Sequence, residues 1–148
     1  MIRGSRGVVL DFAVQNLPND LQTPVPAFMN KSLAYLLVHN ANVYRHWLAN
    51  FAMQLNQPYE DETAFENTER IKELYSTVDL LVDGFLNHYQ SKLNQPVNGT
   101  TASGRKEQSA PLEIFTHAIT HEFHHKGQML SMIRLLGQIP PDSDVIRL

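Results

Sequence analysis

The chain of 148 residues contains no cysteine and no apolar run long enough to cross a bilayer. The lack of cysteine excludes disulfide bonds and thiolate metal sites, so any transition metal must be bound by His, Asp or Glu. A membrane-spanning helix needs about 20 apolar residues, and the first apolar stretch is also too short for a signal peptide. We therefore expect a cytoplasmic protein without a membrane partner.

Concentrated positive charge is also absent. The formal net charge is -3, and the Lys and Arg residues are scattered along the chain. Because nucleic-acid binding needs a basic patch, we expect no nucleic-acid partner. With 43% hydrophobic residues, the chain has the size and composition of one ordinary domain. We predict a single domain over residues 1–148.

Alternation of polar and apolar residues, which is typical of strands, is missing as well. Apolar residues at helical spacing instead predict helices over residues 28–56, 62–93 and 111–136, the last ended by Gly137. Residues 94–111 predict a connection that is long for a bundle, and such a connection would cover a site or cross the bundle. The pattern predicts an all-α bundle of three or four helices.

The N-terminal region is rich in proline, which disfavours a long helix there. Pro18, Pro24 and Pro26 fall within the first thirty residues. Proline lacks the backbone N–H and clashes with the preceding turn of a helix. We therefore expect the first helix to be short or irregular and to stop near Leu17.

Histidine is what the chain does have, and four of its seven histidines fall in one stretch, "THAITHEFHHKGQM". On a helix, His117, His121, His124 and His125 would share an arc of about 100°. Histidines four residues apart can offer two imidazole nitrogens to one metal ion. Both the 117/121 pair and the 121/125 pair meet this condition.

A third ligand would have to come from His39, His46 or His88. His39 lies on the apolar, inward face of its predicted helix, whereas His46 lies two turns further along the axis. His88 stands near a helix end, where a solvated or capping role is expected. A lone inward histidine is usually a hydrogen-bonded core residue, but three inward imidazoles are costly to bury unless something satisfies them. We therefore favour a metal site over a bundle without a metal.

The letters "HEFHH" also fit the H-E-x-x-H pattern of zinc peptidases, in which Glu122 would be the general base. Such enzymes need a further ligand downstream, and after His125 only Asp142 and Asp144 remain. No strand is available to hold a peptide in extended form. The peptidase is therefore the least favoured interpretation, and we expect Glu122 to be solvated or to accept a hydrogen bond from a ligand imidazole.

Two segments together resemble a known family. "HEFHHKGQM", preceded by "HAIT" and followed by "LSMIRLLGQIPPDSDVI", resembles the C-terminal signature of the DinB/YfiT-like proteins, H-x-x-x-H-[KR]-G-Q. "LLVHNANVYRHWL" resembles their other landmark, an inward histidine followed eight residues later by tryptophan. The resemblance covers residues 28–146.

The resemblance implies a four-helix bundle of the DinB type that holds a divalent metal, nickel or zinc, through three histidines. Carried over by position, the ligands are His39, His121 and His125. His117 would line the pocket, and Gln128 would either support the ligands or make a simple polar contact between helices. His124 would pack or hydrogen-bond nearby. Gly127 inside the helix would allow another backbone to approach closely.

The resemblance also implies a metal-dependent enzyme, a thiol S-transferase or a hydrolase that acts through a metal-bound thiolate or water. A small-molecule substrate, with a low-molecular-weight thiol as one candidate, would then be its partner, and its catalytic residues are unknown. The alternative is a non-enzymatic, stress- or damage-inducible metal-binding homodimer. Phe85, Tyr89 and Tyr75 could form such an interface, although core packing is the more ordinary role for each.

Overall fold

Four helices and one small sheet make up the computed structural model, which describes residues 2–64 and 67–146. Helix α2 packs against both α3 and α4, and α1 packs against α3. Within these residues, no helix is both long and apolar enough to cross a membrane. The helices span Ile2–Asn16 (α1), Leu33–Tyr44 (α2), Thr68–Tyr89 (α3) and Pro111–Leu135 (α4).

Helix α1 is longer and more regular than expected. It runs for 15 residues, so the prediction of a short or irregular first helix is wrong, although its end beside Leu17 is confirmed. The prolines do not disturb it because all three lie beyond its last turn, which closes with a hydrogen bond from Leu17 N to Ala13 O. Its inward face is partly polar and buries Ser5 and Arg6.

Helix α2 begins later than predicted, at Leu33. Met29 and Asn30 have φ values of 56° and 57°, a left-handed conformation that no helix can continue. Ser32 then caps the new helix by accepting a backbone N–H. Beyond Tyr44 the same helix continues over Arg45–Ala52 in π geometry, and we call this stretch the π segment. Such wide turns occur frequently at functional sites.

Helix α3 is also shorter than predicted. It starts at Thr68, where the side chain of Asn67 accepts a backbone N–H from the first turn. Glu62, the predicted first residue of this helix, lies instead in the loop that precedes it. Residues 65 and 66 of the predicted helix are outside the described residues. The apolar stripe of α3 faces α2, and buries Ile71, Leu74, Tyr75, Val78, Phe85 and Tyr89.

The aromatic side chains of α3 belong to the core. Tyr75, Phe85 and Tyr89 are each at most 5% exposed, so core packing is confirmed and the exposed-interface interpretation of these three residues is wrong. The Tyr75 hydroxyl donates to Leu37 O, and the Tyr89 hydroxyl donates to Ala52 O, both at 2.8 Å. The apolar rings are thus buried, while the polar hydroxyls keep hydrogen-bond partners on the backbone.

The long connection contains a β-hairpin that the sequence pattern did not predict. Strands Val97–Thr100 (β1) and Lys106–Ser109 (β2) pair antiparallel. They are short and mostly polar, so they lack the apolar alternation that indicates a strand. The hairpin packs on the π segment, where the Phe51 ring occupies the position that a side chain on Gly99 would need. Only glycine permits this close approach.

Helix α4 ends as predicted. Gly137 has a φ of 83°, and Gln138 N donates to Ile133 O at 3.1 Å, which together form a glycine-terminated helix end. Residues 138–146 contain no helix. Gly127, in contrast, is exposed. A Cβ added to Gly127 would have no heavy atom within 4 Å apart from the neighbouring backbone of its own helix. The prediction that another backbone approaches Gly127 is therefore wrong.

Candidate metal centre

Three histidines from two helices meet at one point. His39 comes from α2, and His121 and His125 come from successive turns of α4. One ring nitrogen from each lies within 4.8 Å of the others. The Nε2 atoms of His39 and His121 are 3.2 Å apart. Among the described residues, this is the one group of His, Asp or Glu that could hold a metal ion.

Local helix geometry explains how α4 supplies two of the three rings. His121 and His125 are four residues apart, so their side chains lie one above the other on the same helix face. Their ring centroids are 4.6 Å apart. Packing of α2 against α4 then brings the ring of His39 within 5.0 Å of the ring of His125. The pair is therefore set by local spacing, and the third ring is set by helix packing.

Glu62 supports His39 from the loop before α3. Its Oε1 lies 2.9 Å from His39 Nδ1. Burial would raise the pKa of the Glu62 carboxyl, but the hydroxyl of Tyr35 and the ring of His39 beside it hold that pKa below its ordinary value. This contact was not predicted from the sequence, because the apolar spacing placed Glu62 at the start of a helix.

Gln128 makes the corresponding contact with His125. Its Oε1 lies 2.6 Å from His125 Nδ1, and its Nε2 lies 3.3 Å from His124 Nε2. Since the amide oxygen can only accept, the proton of the His125 ring lies on Nδ1 and its Nε2 keeps a lone pair. Gln128 lies one turn after His125, and both of these contacts are within α4. The support role of Gln128 stays a prediction.

The electrostatics of the group favour uncharged imidazoles. Burial, followed by the nearby rings of His125 and His39, lowers the pKa of His121 to about 4. Burial also lowers the pKa of His125, although its hydrogen bond to Gln128 opposes the shift. A lowered pKa means that the ring keeps a lone pair at neutral pH, and a lone pair is what a metal ligand requires.

The other histidines lie around this group but outside it. His117 is exposed, and its ring meets Trp47 edge-on with the centroids 4.8 Å apart. His124 is exposed as well, and His88 is exposed in the last turn of α3. His46 bonds to the Tyr59 hydroxyl at 2.8 Å. The contact of His117 with Trp47 places it beside the cleft described below.

Glu122 faces away from the histidines. It is 5% exposed, and its two oxygens accept from Arg6 Nε and Nη2 at 2.8 and 2.9 Å. The Tyr44 hydroxyl donates to the same carboxylate. Both predictions for Glu122, a solvated group or an acceptor for a ligand imidazole, are therefore wrong. A carboxylate held this way cannot act as a base beside the histidines, so the peptidase interpretation does not fit.

The positive charge of the buried Arg6 side chain is paired with nearby carboxylates. Its Nη1 also reaches Asp79 Oδ1 at 2.8 Å, and its guanidinium lies 4.6 Å from the centroid of the Tyr75 ring. Burial by itself would lower the pKa of Arg6, but the bonds to Glu122 raise it above its ordinary value. Burial and then the same carboxylate raise the pKa of Tyr44. The guanidinium is therefore permanently charged, as paired arginines inside proteins are.

A wide cleft of about 1780 Å³ opens beside the histidine group. Trp47 and Asn50 of the π segment line it, together with residues of both hairpin strands. His39 and Glu62 also line it, whereas His121 and His125 do not. The long connection thus contributes to a cavity next to the candidate centre, one of the two roles expected of it.

Comparison with known proteins yields one family and one shared fold. A model described as the DinB family matches residues 3–148. Among solved structures, a DinB-like protein from Bacillus cereus ATCC 10987 is similar with a TM-score of 0.65 and 18% identity, covering 95% of this chain and 88% of that one. No curated protein sequence matches. The likeness to the solved structure shows the fold alone.

Proposed function

Because this chain belongs to the DinB family, we propose that it binds a divalent metal ion through His39, His121 and His125. The observation that carries the proposal is the meeting of three imidazole nitrogens within 4.8 Å of one another. The four helices and the likeness to the solved DinB-like protein support a four-helix bundle as the fold that brings them together.

The residues fit a transition metal. Zn–N bonds of about 2.0–2.1 Å in tetrahedral geometry separate two ligand nitrogens by about 3.3 Å. The separation of 3.2 Å between His39 Nε2 and His121 Nε2 is close to this value. An all-nitrogen set of uncharged imidazoles suits zinc and nickel better than the hard cations, which prefer oxygen. We therefore propose nickel or zinc as the cofactor.

Three protein ligands are the number typical of catalytic rather than structural sites, because they leave coordination positions open. When bound, the metal would supply Lewis acidity toward a thiol or a water molecule. A metal-dependent thiol S-transferase or hydrolase is therefore the proposed class of enzyme. The adjoining cleft, with Trp47 in its wall, would receive a small-molecule substrate, and a low-molecular-weight thiol is the proposed co-substrate.

A non-enzymatic, damage-inducible metal-binding homodimer is the second candidate. The observation that favours it is the exposure of large apolar side chains outside the cleft. Leu80, Leu135 and Ile139 are 72%, 60% and 88% exposed, and exposed apolar side chains are what a second copy of the chain would cover. The proposed location remains the cytoplasm for both candidates.

Metal analysis tests the binding proposal. Protein purified without an affinity tag is expected to carry one equivalent of metal per chain. His39→Ala and His121→Ala should each lose it, because two imidazoles do not make a stable site. His88→Ala is the control, since this exposed histidine of α3 lies outside the group. Equal metal content in the wild type and in both ligand variants would contradict the proposal.

A screen of thiols against a reactive electrophile separates the two candidates. The metal-loaded protein is expected to form a thioether faster than the same protein after chelation. The His121→Ala variant gives the background rate. If no thiol and no hydrolysable ester gives a rate above that background while the metal is bound, the non-enzymatic candidate is favoured. A dimer in sedimentation analysis would strengthen it further.

A further inference from the structure

The loop of residues 57–62 is tied along the outside of helix α2 and the π segment by side chains, not by a regular sheet. Asn50 accepts from Gln57 N at 2.6 Å and donates to Gln57 O at 2.9 Å. About two turns earlier in the helix, Asn42 accepts from Glu60 N at 2.9 Å and donates to Glu60 O at 2.8 Å. Each asparagine thus holds both polar groups of one loop residue, as a neighbouring strand would.

An ion pair adds a third tie between these two. Arg45 Nη1 donates to Pro58 O at 3.1 Å and to Glu60 Oε1 at 2.7 Å. The ties therefore follow one side of the helix in order, and the loop runs past them toward its N-terminal end. Each asparagine uses both its amide oxygen and its amide nitrogen in these ties. The path of the loop is determined by them.

Glu62 is where this path meets the candidate centre. Its carboxylate reaches His39 Nδ1 at 2.9 Å, and both side chains are mostly buried, with 24% and 31% exposure. A carboxylate can only accept, so the His39 proton lies on Nδ1. The lone pair of His39 is then on Nε2, the atom that lies 3.2 Å from His121 Nε2. The direction of this lone pair follows from the position of Glu62.

We propose that Glu62 is a positioning residue of the metal centre, fixing the tautomer and orientation of His39 from a loop that Asn42, Arg45 and Asn50 hold in place. The inference rests on the proposed metal-binding function. Carboxylates that accept from a ligand histidine raise its basicity and hold its ring, and losing one typically weakens metal affinity about 10–100-fold. Glu62 contributes no ligand atom of its own.

Zinc titration of the full chain with a competing chelator tests this role. Glu62→Ala is expected to weaken zinc affinity about 10–100-fold, and Glu62→Gln, which keeps an acceptor but loses the charge, should weaken it less. Asp61→Asn is the matched control, because it removes a charge from the same loop at an exposed residue whose partner is Thr63, not a histidine and not a side chain that holds the loop. It should bind zinc like the wild type.

A second measurement separates positioning from loop stability. In ¹⁵N-detected NMR of the zinc-free protein, the His39 ring should carry its proton on Nδ1 in the wild type and in Asp61→Asn, and lose this preference in Glu62→Ala. Wild-type affinity in Glu62→Ala, or an equal loss in Asp61→Asn, would overturn the role of Glu62. Failure of the wild type itself to bind zinc, nickel or another divalent metal would overturn the proposed function, and is seen in a separate sample.

Discussion

Two neighbouring faces of helix α4 carry the same spacing and hold opposite chemistry. His121 and His125 face His39, and His121 is uncharged at neutral pH because burial and its neighbours lower its pKa to about 4. Glu122 and Lys126, each one residue further on, are buried and charged. A step of one residue turns a helix by about 100°, so the two pairs point to different parts of the protein.

The two faces differ in the partners of their polar groups. On the charged face, formed by Glu122 and Lys126, these groups are paired with other parts of the protein. Arg6 neutralises Glu122, and Lys126 Nζ donates to Ser5 Oγ at 2.8 Å and to Ser143 O at 2.7 Å. The histidine face offers nitrogen lone pairs from three imidazoles. One face therefore holds the N-terminal helix and the tail onto α4, and the other is suited to bind a cation.

Breaking the charged face should have the largest effect on stability. Glu122→Ala leaves the buried guanidinium of Arg6 with Asp79 alone, and we expect a loss of about 3 kcal/mol in the free energy of unfolding. Urea denaturation of zinc-free protein measures it. The double variant Arg6→Met with Glu122→Leu removes both charges and should recover most of the loss. A loss below about 1 kcal/mol for the single variant would contradict a buried ion pair.

Filling the histidine face should have the next largest effect. A ligand that binds only the folded state at 100 times its dissociation constant stabilises it by about 2.7 kcal/mol. We expect zinc to raise the free energy of unfolding of the wild type and of Glu122→Ala by the same amount, because the faces are separate. The rise is detected as an upward shift of the thermal midpoint of each protein. His121→Ala should show no such shift. A zinc effect that disappears in Glu122→Ala would mean that the two faces are coupled.

Loosening the tie between Lys126 and α1 should have a smaller effect. Ser5→Ala removes one acceptor of the Lys126 ammonium, which keeps Ser143 O, and it also removes the bond that the Ser5 hydroxyl donates to Ser143 O. We expect the free energy of unfolding to fall by about 2 kcal/mol, the net contribution of two hydrogen bonds. Zinc affinity should not change. Comparison of urea midpoints and zinc titrations for wild type and Ser5→Ala checks both expectations, and a weakened zinc affinity would contradict the separation of the faces.

Acid should affect the histidine face gradually. The pKa of His121 is lowered from 6.5 to about 4 in the folded chain, so between these pH values the unfolded chain binds more protons. Stability of the zinc-free protein should therefore fall as pH decreases from about 6.5 to about 4. His121→Gln cannot be protonated, so its stability should depend less on pH in this window. Identical pH profiles for the two proteins would contradict the lowered pKa.

The sequence pattern predicted that the helices exist and that α4 begins at Pro111, but not where α2 and α3 begin. The left-handed residues Met29 and Asn30 and the cap at Ser32 delay α2, because capping and backbone turns override a pattern of apolar residues. The hairpin was missed because its strands are polar. It is held by contacts with the π segment, including the ring of Phe51 against Gly99, and such contacts leave no periodic signal.

The candidate site was predicted in part for the same reason. Spacing alone allowed both the 117/121 and the 121/125 pair, and the family resemblance selected His121 and His125. An inward face together with the same resemblance selected His39. Glu62 could not be found in this way. It lies in a loop whose path depends on hydrogen bonds to Asn42 and Asn50, and no local pattern records which residues a loop will meet.

The amino-acid sequence alone determined the donor chemistry of this protein. Without cysteine, any transition metal must bind nitrogen and oxygen, and an i, i+4 pair of histidines presents two nitrogens on one helix face. Only the tertiary structure decided that Glu122 belongs to Arg6 and not to the histidines. Helical spacing is set by the backbone within a few residues, whereas Arg6 comes from a helix more than a hundred residues away, which only the packing of the folded chain brings into contact.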